Sequence, residues 1–369
     1  MTSITRIRTA ALVAALAAFA VPSAALAGKS HQTSVYKVED HVELEGEDGT
    51  YTLSCKPGDI AIDGMWRVDN VDQDNDWTDP DSGLATFWGP APTGINTSPD
   101  LTIRKAIRPM AAYASSASTY TFKFTPLAGA DVQIKLFLTC LPDPVSGAGH
   151  SHTWNEGAQF DENAPAVVTS ANDPQSAAST ATCTGPTILI QPGFETNSTG
   201  NHIVASRPTP MGGPPGWNGK QWLWRIWNDG TDPVGTSKLT WRCLAVKSST
   251  GGSNNHTHKL VYNIKETIWN GTPGNPPLGK QQKGERQQHC GEHYKGMLGG
   301  WDISGAWRQA GNIGPIAWPD HMWIYFLGQD PRIKSRAFSF LNLDEITSPT
   351  APPGKPITTS LVCWKDRTT

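Results

Sequence analysis

Two short stretches carry the residue types best able to hold a metal ion. "GAGHSHTW" and "SNNHTHKLVYNIKE" each place two histidines one residue apart, His150 with His152 and His256 with His258. On a β-strand, residues i and i+2 share a face. Each pair therefore offers two imidazoles to one Zn²⁺ or Cu²⁺, ions that imidazole nitrogen suits. A third or fourth ligand has to come from elsewhere, with His202 and His321 as the candidates. The plain alternative is that both pairs are polar strand-start residues at the border of a repeated unit. "HCGEH" adds His289, Glu292 and His293, a separate cluster if Cys290 sits in a disulfide.

"DNVDQDNDWTDPD", residues 69–81, gives Asp72, Asp74 and Asp76 the one-three-five spacing of a calcium loop. Its sixth position is Trp77 where an EF-hand needs Gly, and its twelfth is Gly83 where the bidentate Glu belongs, so a true EF-hand is excluded. What is left is a weak Ca²⁺ loop or a solvated acidic loop. Aromatic rings are the other resource. Trp222, Trp224, Trp227 and Trp241 crowd one region, but rings at period two in central strands face inward. Trp88 and Trp217, in Gly/Pro-rich loops, are the better candidates for a carbohydrate-binding face. No G-x-S-x-G, H-E-x-x-H or phosphate-cradling glycine loop is present, and catalysis is not expected.

These residues have to be positioned by strands. Gly 36, Pro 29 and Trp 15 combine turn formers with aromatics, which suits an all-β protein rather than a helical one. The first 27 residues read as a secretory signal peptide: Arg6 and Arg8, an apolar run from Ala10 to Val21, and "ALA" before the expected cleavage. Beyond it no run reaches the roughly 18 apolar residues of a membrane span. The net charge of −3 comes with no basic patch or stripe, which argues against a nucleic-acid partner.

The cysteines act as a ruler. Cys55, Cys183 and Cys290 are each followed at eleven residues by a large aromatic, Trp66, Phe194 and Trp301. Gly64, Pro192 and Gly299 lie two residues before those rings. Cys140, Cys243 and Cys363 instead end strand-like runs, "VQIKLFLTC", "TSKLTWRC" and "ITTSLVC". Six cysteines allow 15 connectivities. The repetition favours the sequential one: Cys55–Cys140, Cys183–Cys243 and Cys290–Cys363, each worth about 4–5 kcal/mol in the chain-entropy model. Between each pair lies an aromatic alternation, "TYTFKF", "QWLWRIW" or "HMWIYF", with Tyr120, Phe122 and Phe124 expected on one face.

His152 precedes Cys183 by 31 residues and His258 precedes Cys290 by 32, so the histidine pairs mark unit entrances. "VYKVED" at 35 matches "VYNIKE" at 261, and that alignment puts Ser30 and Gln32 where His256 and His258 stand. The division expected is three tandem antiparallel β-sandwich (Ig-like) units: residues 28–145, 146–250 and 251–369. "PDPVSGAG" and "KSSTGGSNN" are expected as flexible or extended linkers.

"TCTGPTILIQPGF", "VASRPTP", "GWNGKQWLWRIWN" and "LTWRCLA" together resemble the Cys-to-Cys β-sandwich repeats of exported bacterial surface proteins. The resemblance covers all three units and is closest in the second; the third lacks Arg-Pro. It implies extracellular modules without a fixed catalytic centre. The resulting expectation is a secreted or cell-surface, non-enzymatic repeat protein, with the periplasm as the other location. Its role would be that of a surface, adhesive or matrix component. The alternatives are a binding module for carbohydrate or metal ions, and a self-associating subunit of an extracellular fibre.

Overall fold

The computed structural model describes residues 33–70, 107–126, 131–147, 150–165, 167–168, 177–198, 200–209, 219–228, 236–249, 256–269, 283–303, 324–332, 334–342 and 357–368. The expected signal segment, Asp72, Asp74, Asp76, Trp88, Trp217 and His321 lie outside these residues. The described chain is all-β, as its composition implies. Among the described residues no helix is long and apolar enough to cross a membrane.

The first cysteine-bounded segment supplies β1 (Tyr36–Glu45), β2 (Gly49–Ser54), β3 (Ile60–Asn70), β4 (Ile107–Ala114), β5 (Thr119–Pro126) and β6 (Asp131–Leu141). A small hairpin of β7 (Val145–Gly147) and β8 (His150–His152) follows it. The second segment contributes β9 (Phe160–Pro165), β10 (Val167–Val168), β11 (Ala177–Thr182), β12 (Thr187–Thr196), β13 (Asn201–Pro208), β14 (Gln221–Asn228) and β15 (Thr236–Ala245). The third runs through β16 (His258–Trp269), β17 (Lys283–His289), β18 (Lys295–Asp302), β19 (Ile324–Arg332), β20 (Ser335–Asn342) and β21 (Ile357–Thr368).

Within each segment the strands pair in one order. The leading strand lies beside the last one, which lies beside the strand after the opening cysteine: β1-β6-β3, β9-β15-β12 and β16-β21-β18. The other strands form β2-β5-β4, β11-β14-β13 and β17-β20-β19, with β10 parallel to β14 on the β11 edge. Central strands such as β6 (DVQIKLFLTCL) are buried nearly throughout, Gln133 and Thr139 included, because both faces are covered. The disulfides are Cys55–Cys140, Cys183–Cys243 and Cys290–Cys363, with Cα–Cα distances of 5.8, 5.7 and 5.6 Å. Each ties the residue after β2, β11 or β17 to the last strand of its own segment. Such bridges fit an oxidising, extracellular environment.

The sheets do not stop at the borders expected from the sequence. β3 pairs with β19, β12 with β4 and β18 with β13, so each large sheet is half one segment and half another. The three junctions run in a cycle through all three segments. A glycine makes room at each. A Cβ on Gly193 would lie 2.7 Å from the Cα of Tyr113, and one on Gly300 2.6 Å from the Cα of Arg207. At the third junction Gly328 has φ +125°, and a Cβ there would meet the Trp66 carbonyl oxygen at 2.1 Å. No L side chain suits that conformation, let alone the space.

The eleven-residue register now has a physical meaning. Trp66, Phe194 and Trp301 are all buried and converge: Trp66 packs edge-on to Phe194 at 6.2 Å and to Phe326 at 5.7 Å, while Phe326 stacks on Trp301 at 4.3 Å. The next residue in each case makes an ion pair across a junction. Arg67 meets Asp330 at 2.7 Å, Asp302 meets Arg207 at 2.9 Å, and Glu195 meets Lys123. Tyr120, Phe122 and Phe124 are buried as expected, and so are Trp222 and Trp224.

One buried position differs in kind among the segments. The N–H groups of Cys55, Cys183 and Cys290 donate to the carbonyls of Ser118, Lys220 and Lys334. Two residues beyond those carbonyls stand Tyr120, Trp222 and Arg336, all fully buried. Arg336 fills an aromatic slot with a charge. Its guanidinium donates to Asp63 of the first segment at 2.5 Å, to Gln329 Oε1 at 3.1 Å and to the Met297 carbonyl at 3.3 Å. Asp63 also accepts the Gly299 N–H at 3.0 Å. Burial pushes the Asp63 carboxyl up and the Arg336 guanidinium down, each opposed by the charge of the other. Removing one member strands the other in the core. Asp63→Leu should therefore cost about 3–5 kcal/mol in chemical denaturation, and Asp63→Leu with Arg336→Met should recover most of it. A double variant no more stable than the single one would contradict this account of the pair.

Candidate metal centre

β8 is short, yet its pairing with β7 sets the first histidine pair: Val145 lies opposite His152 and Gly147 opposite His150. The stretch "PDPVSGAG" supplies β7 to this pairing, the extended form of linker rather than the flexible one. The second pair stands at the entrance to β16, whose full-length pairing with β21 sets His258 opposite Thr368 and Leu260 opposite Asp366. The two pairs, about a hundred residues apart in sequence, come together.

The beginning of the second expected linker joins them. Ser248 donates its N–H to the His258 carbonyl at 2.9 Å, and its Oγ accepts the His258 N–H at 2.9 Å. Ser249 donates its N–H to the Thr153 carbonyl at 2.7 Å, and its Oγ accepts the Thr153 N–H at 2.8 Å. "KSSTGGSNN" thus starts as a two-residue staple between the histidine-bearing segments, made of backbone and hydroxyl bonds that composition cannot reveal.

His150, His152 and His256 present ring nitrogens that all lie within 4.8 Å of one another, an arrangement that could hold a metal ion. The Nε2 atoms of His150 and His256 are 3.5 Å apart. Two imidazole nitrogens sharing a tetrahedral Zn²⁺ at about 2.0–2.1 Å would be separated by about 3.3–3.4 Å. The ring of His258 lies 4.7 Å from that of His152 and 5.5 Å from that of His256. His152 and His258 are fully buried, while His150 and His256 are half-buried, so the cluster has an inner and an outer side.

The inner pair is held by hydrogen bonds. His152 Nδ1 is 2.9 Å from the Ser249 carbonyl, which only accepts, so Nδ1 donates and Nε2 is left facing the cluster. His258 Nδ1 donates to Asp366 Oδ2 at 2.6 Å in a pair whose side chains are 0% and 2% exposed. Asp366 Oδ2 also accepts the Thr33 N–H at 2.8 Å. A carboxylate or carbonyl behind an imidazole is the arrangement that orients histidine toward a metal. The Trp154 ring lies 6.5 Å from that of His258, and the Trp154 backbone N–H donates to Asp143 Oδ1 at 3.0 Å.

The four histidines singled out from spacing therefore form one cluster rather than two. The proposed supplementary ligand His202 is elsewhere, its ring 5.3 Å from Trp227. His289, Glu292 and His293 form no such group; among the described residues His150, His152 and His256 are the one set of three ligand atoms brought this close. Asp366 and Ser249 escaped the sequence reading. The available signal was the pairing of leading and closing strands, which puts "WKDR" beside His258. Replacing Asp366 by Ala removes the acceptor of two buried donors, and should lower stability by about 2–4 kcal/mol in chelator-treated buffer, measured by denaturant unfolding. The chain matches no protein-family model and no curated protein.

Proposed function

We propose that this protein is an extracellular, non-enzymatic metal-binding protein of the surface or matrix type, with Zn²⁺ or Cu²⁺ held by His150, His152 and His256 beside His258. The observation that carries the reading is the convergence of both His-x-His pairs on one locus, with ring nitrogens at 3.5 Å and all three candidate ligand atoms within 4.8 Å. An all-nitrogen donor set suits Zn²⁺ and Cu²⁺ and not Ca²⁺ or Mg²⁺, which prefer oxygen. The ion would clip the hairpin that follows the first segment to the entrance of the third. Three imidazoles would occupy three of the four positions of a tetrahedral shell. Three disulfides and an expected signal peptide support the extracellular assignment.

The test is a calorimetric titration of metal-stripped protein with Zn²⁺ and Cu²⁺. One ion per chain is expected, with a dissociation constant in the micromolar range or tighter and a raised melting temperature after loading. His152→Ala with His256→Ala should abolish binding. Silence toward both ions at micromolar concentration would sink the reading, as would full affinity in the double-histidine variant.

A further inference from the structure

Asp366 also lines a cleft of about 780 Å³ that none of the four clustered histidines borders. Its walls come from the Gly291–Lys295 turn, the β19–β20 turn, the end of β21 and the chain at Thr33. Four of the lining residues are cationic: Lys295, Lys334, Lys365 and Arg367. None of them forms an ion pair with a carboxylate of the described residues. The one acid in the lining, Asp366, is turned inward and committed to His258 and the Thr33 N–H. In a chain whose formal net charge is −3, four cations around one opening are a marked segregation of charge.

The cations stand on a fixed base. Lys295 lies opposite Trp364 in the β18–β21 ladder, and Lys365 lies opposite Val261 in the β16–β21 ladder. The Cys290–Cys363 disulfide ties the residue before the Gly291–Lys295 turn to β21, and the Lys334 carbonyl accepts the Cys290 N–H at 2.7 Å. Lys365 Nζ sits 4.8 Å over the Tyr294 ring, and Lys295 Nζ donates to Ser34 Oγ. His293, at the rim, has φ 66°, a left-handed conformation that the bridged turn holds in place.

We infer that this cleft binds an acidic polysaccharide carrying sulfate or carboxylate groups. Its volume falls in the range of ligand sites and far exceeds what a single inorganic anion fills. Three of the four cations are ammonium groups, point charges that accept sulfate or carboxylate without the bidentate geometry that favours Arg at phosphate. Low-dielectric walls concentrate their field toward a chain of repeated negative groups. A nucleic-acid duplex would instead need a row of contacts along its backbone, and the cations are confined to one opening. The inference does not depend on the metal reading, since no histidine of the cluster is among the four cations.

The experiment uses the full-length protein and three immobilised polysaccharide probes, dextran sulfate, polygalacturonate and neutral dextran, alongside immobilised duplex DNA. Binding to at least one polyanion but not to neutral dextran is expected, weakening steeply between about 50 and 200 mM salt. The two charged probes separate sulfate from carboxylate recognition. Lys334→Glu with Arg367→Glu, both exposed positions, should reduce the affinity at least about tenfold. Lys334→Ala with Arg367→Ala should give a smaller loss, and an unchanged melting temperature in either pair shows that the fold is intact. Absence of binding to both polyanions at low salt overturns the inference. So does unchanged affinity in the charge-reversed variant, or tighter binding of duplex DNA than of either polysaccharide.

Discussion

A β-sheet edge exposes a row of N–H and C=O groups that water or another strand has to satisfy. In this chain the three-stranded half-sheets of each segment have edges facing their neighbours, and the structure follows from how those edges are covered. β3, β12 and β18 each meet the edge strand of a different segment, β19, β4 and β13. The ladders at these meetings are only one or two residue pairs wide. So few backbone bonds would be weak alone, and the side chains of the same strands complete the contact. The ring at eleven residues from the cysteine enters the shared core, and the next residue closes an ion pair across the seam.

The histidine cluster solves a different problem with different chemistry. It lies where the connection between the first two segments passes the entrance of the third, away from the aromatic centre. Here the contacts are a serine staple, oriented imidazoles and one buried carboxylate. A single centre of this kind takes two His-x-His pairs. That is consistent with the leading strand of the first segment following Ser30 and Gln32 in place of histidines.

What the sequence made legible was whatever repeats along the chain. The cysteine spacing was enough for the three disulfides, because each bridge is local to a segment, and period-two aromatics were enough to identify buried faces. Relations between segments were out of reach. Nothing in the spacing of Cys55 and Trp66 says that the ring will meet Phe194, or that Arg67 will find Asp330, because such contacts depend on how strand edges dock. The histidines illustrate the limit well. Each pair was recognisable as ligand-like, but their union depends on Ser248 and Ser249, whose bonds are invisible in a stretch that reads as linker. Arg336 was hidden for a related reason: its aromatic counterparts Tyr120 and Trp222 gave no hint that a charge could take the slot once Asp63 arrived from another segment.

The ion pair of Arg67 and Asp330 joins residues 263 positions apart. During synthesis the strand bearing Trp66 is among the first to appear, while its partner strand, residues 324–332, is among the last. At about 5–20 residues per second, the wait amounts to about 13–53 s. For that interval the first segment carries a bare edge, and its Trp66, with Phe124 already beside it, lacks Phe326. The vulnerable moment in the life of this protein is therefore its assembly, when a second nascent copy can offer the same strand to the same edge.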